Sequence, residues 1–135
     1  MATADEIRAQ IEAARAELRA AIEAADSGSW EQASGGDEWS PRQAAEHVIG
    51  AERGIAGGVA TAMLGKAPER PELALGSPQD ALAALESAVA DVNRVIRYVE
   101  DRDLTKKVGE SSTIQSMMEL LATHAKDHAA QISGS

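Results

Sequence analysis

The chain has no cysteine in its 135 residues, which excludes disulfides, thiolate metal ligands and a cysteine nucleophile and leaves nothing that marks an oxidising compartment. Phenylalanine is also absent, and the aromatic complement is two tryptophans and one tyrosine. Alanine dominates the apolar class, so helices can approach closely while each side chain fills little volume, and the core is expected to be lean. No stretch approaches the roughly 20 apolar residues of a membrane span. The opening Met1-Ala2-Thr3-Ala4-Asp5-Glu6 has neither the basic start nor the apolar run of a signal peptide. These absences lead to the expectation of a cytoplasmic protein with no membrane partner. Positive charge is short as well: 13 lysines and arginines stand against 22 acidic residues, a net charge of -9. Such a chain repels a phosphate backbone, so no nucleic-acid partner is expected.

What is present is helical periodicity. Four segments carry it: 4–25 behind the cap Thr3, 41–64 behind Ser40, 78–99 behind Ser77, and 113–132 behind Ser112 or Thr113. Pro41 and Pro78 suit the first position of a helix. Leu82, Leu85, Val89, Val92, Ile96 and Val99 form the clearest core stripe, spaced by three and four. No useful length alternates with period two, so no sheet is expected. The length fits one domain, 1–135, and the expected fold class is all-α, a four-helix bundle. Ser133-Gly134-Ser135 reads as a flexible end.

Three histidines occur, and their spacing carries the chemistry. His124 and His128 lie four apart on the fourth helix, so both imidazoles project from one face, and His47 lies near the start of the second. One histidine from a facing helix would complete a three-nitrogen metal site with open positions. An H-x-x-x-H pair alone is a weak signal, and isolated histidines are often satisfied surface or core groups.

Geometry decides whether the three can meet. His47 sits about six residues into its helix, and His124 and His128 centre about six residues before the end of theirs, so the rings share a level only if these helices are antiparallel. That requires an up-down-down-up bundle with a full-length crossover between the second and third helices. The connection 66–77 bears Pro68 and Pro71 and, at about 3.3 Å per residue, reaches roughly 35–40 Å, the length of such a helix. Gly50, Gly54, Gly57 and Gly58 each cost about 0.8–1 kcal/mol of helix propensity relative to alanine. Either they leave open space above the metal for a substrate, or they let another helix or a second subunit pack closely. Glu46, Glu52, Asp91 and Asp127 read as solvated-face residues, Trp39 as a staple against Ala44, Trp30 as a loop anchor, and Met117 as a core filler bordering the site.

Trp39-Ser40-Pro41-Arg42-Gln43-Ala44-Ala45-Glu46-His47 resembles the W-S-x-x-x-x-x-x-H element that opens the second helix in the DinB/YfiT-like superfamily, and the segment Leu120 to Ile132 resembles its closing H-x-x-x-H helix. The resemblance implies an up-down-down-up four-helix bundle, often a homodimer, with a divalent metal on three histidines that match His47, His124 and His128. Zinc or nickel is the first expectation, iron or manganese the next. Related members act as thiol-dependent transferases or isomerases, so a low-molecular-weight thiol and a small-molecule substrate are implied. The expected function is that of a metal-dependent transferase or hydrolase. The alternative is a non-catalytic dimeric scaffold or binding module with a structural or adventitious metal.

Overall fold

A computed structural model of the protein describes residues 2–33 and 38–134, so residues 34–37 of the glycine-rich connection 26–40 lie outside the described residues. Four helices form where the caps and periodicity predict: α1 (Ala4–Ala24), α2 (Pro41–Ala62), α3 (Pro78–Ile96) and α4 (Ile114–Ser133). Each start has a chemical reason. The Thr3 hydroxyl accepts the Glu6 amide, Ser40 and Gln43 form a reciprocal capping box ahead of Pro41, Ser77 accepts the Asp80 amide, and Thr113 pairs with Ser116. The end of α4 differs from the expected flexible tail, for Ser133 completes the helix and Gly134 closes it in the left-handed conformation, φ 76°. α3 stops at Ile96, and Val99 is buried beyond it.

Two apolar clusters fix the direction of every helix. One gathers Leu18 and Ile22 from the end of α1, Ala45 and Ile49 from the start of α2, Ala81 and Leu85 from the start of α3, and Ala129 and Ile132 from the end of α4. The other gathers Ile7 and Ile11 from the start of α1, Val59 from the end of α2, Val92 and Ile96 from the end of α3, and Ile114 and Met118 from the start of α4. α1 and α4 therefore run one way and α2 and α3 the other, the up-down-down-up order. Burying each isoleucine or leucine stabilises the fold by about 1.5–3 kcal/mol.

The crossover between α2 and α3 explains the glycines. A Cβ at Gly50 would meet the Leu73 side chain, at Gly54 the Arg70 guanidinium, and at Gly57 the Ala67 methyl, so the crossover descends along the outer face of α2. A Cβ at Gly58 would meet Val108 and Met117. The close neighbour of Gly50, Gly54 and Gly57 is thus the protein's own crossover, while Gly58 faces β1 and the start of α4.

Two features depart from the sequence reading. A small antiparallel sheet forms between β1 (Lys107–Val108) and β2 (Ser112–Thr113), with Lys107 opposite Thr113 and Val108 opposite Ser112. Two residues per strand are too few to show a period. Gly109 turns the chain at φ 68°, and the Ile114 amide bonds to the Lys106 carbonyl, delivering the chain into α4. In addition, charge enters the core. Arg15 is fully buried and donates to Glu52 at 2.6 Å, Asn93 at 2.8 Å and Glu12 at 3.0 Å. Glu52, read as solvated, is buried as well, because its helical position points between the two apolar clusters, where Arg15 supplies the opposite charge. Asp91, likewise read as solvated, is half-buried and binds the buried Arg53 at 2.9 Å.

Candidate metal centre

The capping box at Ser40 sets the phase of α2, and that phase places His47 in its second turn, facing α4. One helical turn separates His124 from His128, so both rings rise from the same face of α4. Because α2 and α4 are antiparallel, the start of one meets the end of the other. His47 Nε2 lies 3.1 Å from His124 Nε2, which in turn lies 3.2 Å from His128 Nε2. A ligand atom from each ring lies within 4.8 Å of those of the other two, so the three histidines could hold a metal ion.

The rings are held by neighbours that sequence reading did not assign. Trp39 does not pack into the core as a staple: 39% exposed, its indole stands edge-on to His47 with centroids 4.9 Å apart and lies parallel to His128 at 6.0 Å and 9°. The Gln131 side-chain oxygen accepts a hydrogen bond from His128 Nδ1 at 2.8 Å. An i, i+3 scan from His128 would have found Gln131, whereas nothing local announces where the Trp39 ring comes to rest. Met117 belongs to the opposite end of the bundle, near Gly58, and does not border the histidines.

Beneath the site, polar bonds tie three segments together. Trp30, buried as an anchor should be, donates from Nε1 to the Leu75 carbonyl at 2.8 Å, while the Leu75 amide donates to Glu46 at 2.9 Å. Glu46 also accepts from Arg42, which pairs with Glu31 and donates its own amide to the Trp30 carbonyl. Glu46, next to His47, thus secures the end of the crossover.

The electrostatics favour the neutral form at His47 and His124. Burial, and then the charge that His128 would carry, lowers the His47 pKa below its ordinary value. His124 is lowered likewise, by burial first and then by His128 and His47, with Asp127 acting in the opposite sense. Neutral imidazoles present lone pairs to a cation. The donor set fits such an ion, since octahedral or tetrahedral coordination at about 2.0–2.2 Å separates neighbouring ligand atoms by about 2.8–3.6 Å.

With that geometry in place, comparison with known proteins is decisive on ancestry. The sequence profile of the DinB superfamily matches residues 10–132, a span that contains Trp39 and all three histidines. The chain belongs to the DinB superfamily. No curated protein and no solved structure shows significant similarity to it. Among its described residues, no helix is long and apolar enough to cross a membrane.

Proposed function

We propose that this DinB-superfamily protein binds a divalent metal through His47, His124 and His128 and acts on a small molecule as a metal-dependent transferase or hydrolase. One observation carries this: three Nε2 atoms from two antiparallel helices converge at the same level of the bundle. Structural zinc sites are closed by four protein ligands, whereas a set of three leaves positions for substrate. His47 is exposed, so those positions are within reach of solvent.

When bound, the ion would lower the pKa of a water or thiol and stabilise developing negative charge. Imidazole nitrogen suits zinc, nickel, iron and copper alike, and the family resemblance puts zinc or nickel first, with iron or manganese next. The chain's own part is to hold three rings convergent, to favour the neutral form of His47 and His124 by burial, and to cover one side of the cluster with the Trp39 indole. A low-molecular-weight thiol brings its own nucleophile and asks less of the protein than hydrolysis, which needs a base. Asp127, the carboxylate that acts on the His124 charge, is exposed. Thiol-dependent transfer is therefore the favoured reaction class. A homodimer with no nucleic-acid partner completes the proposal, the net charge of -9 supporting the latter.

The test is metal analysis of purified protein beside His124→Ala, with thermal unfolding of metal-loaded and metal-free forms. One ion per chain is expected in the parent and less than a tenth of that in the variant. The metal-free form is expected to unfold cooperatively, because neither apolar cluster includes a histidine. Equal metal content in both proteins would refute the site, and a metal-free chain that cannot fold would make the ion structural.

A further inference from the structure

We infer that Gln131 is a positioning residue of the centre: its side-chain carbonyl holds His128 as the Nδ1–H tautomer and so turns a bare Nε2 toward the other two histidines. This rests on the metal-binding function proposed above and adds a residue that the three-histidine motif does not contain.

The chemistry follows from what each atom can do. The Gln131 oxygen can only accept, so at 2.8 Å the His128 Nδ1 must donate. A neutral imidazole has a single N–H, and with that hydrogen on Nδ1 the lone pair is left on Nε2, the atom 3.2 Å from His124 Nε2. Helical spacing makes the contact cheap, because residues three apart share a face and Gln131 reaches back one turn. Trp39 completes the restraint, its indole lying parallel to the His128 ring. His128 is thus oriented at its far nitrogen by a hydrogen bond and across its face by an aromatic plane. For His47 and His124, the side-chain hydrogen bonds among the described residues run through Nε2 alone. The centre is therefore asymmetric: His128 is the ligand set in place before an ion arrives.

Gln131 lies on the exposed side of α4, and glutamine, leucine and glutamate have similar helix propensities, so substitution there leaves the bundle intact. Outer partners of metal-bound histidines are worth about 10–100-fold in affinity. The experiment compares the parent, Gln131→Leu and Gln131→Glu by two readouts: the His128 tautomer from nitrogen-15 NMR of metal-free protein above pH 7, and zinc affinity by competition with a chelator. The expected result is Nδ1–H in the parent, a shift toward Nε2–H with zinc affinity lowered about 10–100-fold in Gln131→Leu, and recovery of both in Gln131→Glu. An unchanged tautomer in Gln131→Leu overturns the inference whatever happens to affinity, and so does a shifted tautomer with affinity within twofold of the parent. A parent that binds no zinc while the tautomer still shifts overturns the metal proposal alone and leaves the hold of Gln131 on the ring standing.

Discussion

His47 on α2 and His124 on α4 stand 77 positions apart in the chain and bring their Nε2 atoms to 3.1 Å. Two acceptor nitrogens at that distance are unfavourable unless a proton or a cation lies between them, and His128 adds a third.

Single alanine substitutions at His47 and at His128 should therefore each abolish stoichiometric metal binding while leaving the helical circular dichroism of the chain unchanged. Metal content and far-ultraviolet spectra of both variants decide this. A variant that keeps its ion would remove that residue from the ligand set, and a variant that loses its helicity would tie the site to the fold.

Acid should weaken the metal-free protein through the same rings. Burial lowers the His47 and His124 pKa values below the ordinary 6.5. The unfolded chain then takes up protons before the folded one does, so the stabilising contribution is full above about pH 6.5 and is lost as pH falls through the folded-state values. Urea unfolding at pH 7.5 and 5.5 should show a drop that the double variant His47→Gln/His124→Gln reduces. Equal drops in the two proteins would assign the acid sensitivity elsewhere.

The buried pair Arg15–Glu52 makes a prediction about the core. Burial pushes the Glu52 carboxyl up, its largest influence, while Arg15 pulls it down. Glu52→Leu alone strands the buried Arg15 without its closest counter-charge and should cost about 3–5 kcal/mol. Arg15→Met/Glu52→Leu removes both charges and should recover most of that loss. Denaturant midpoints of the two variants provide the check, and a double variant no better than the single would show that the pair itself stabilises the bundle.

The glycines of α2 should respond unequally to alanine. At Gly50 a Cβ meets only Leu73, at an ordinary 3.8 Å, so Gly50→Ala should stabilise the protein by about 0.5–1 kcal/mol. At Gly58 it would come within 2.9 Å of Val108, so the hairpin must shift and the gain should vanish. Thermal unfolding of the two variants side by side tests the difference; equal gains would mean that the hairpin yields freely.

Much of this architecture was legible in the residues. Thr3, Ser40, Ser77 and Thr113 announce helix starts because the capping chemistry is local, and the reach of 66–77 allowed the one topology in which His47 can face His124. The features that escaped depend on contacts between distant segments. Glu52 read as a solvated charge because its burial is explained by Arg15, 37 residues away in the chain. The glycines, left between a pocket and an interface, are seats for Leu73, Arg70 and Ala67, a pairing that appears only once the crossover is laid on the helix. The strands at 107–108 and 112–113 are shorter than any periodicity can register.

The crossover along α2 also gives the histidine cluster a meaning in time. α4 supplies two of the three rings and lies against both α1 and α2, so a chain emerging from the ribosome carries a solitary imidazole until α4 is made, and His47 gains its partners only when α4 docks. The complete three-nitrogen set thus exists only in the assembled bundle, and before docking α4 offers no more than the His124–His128 pair.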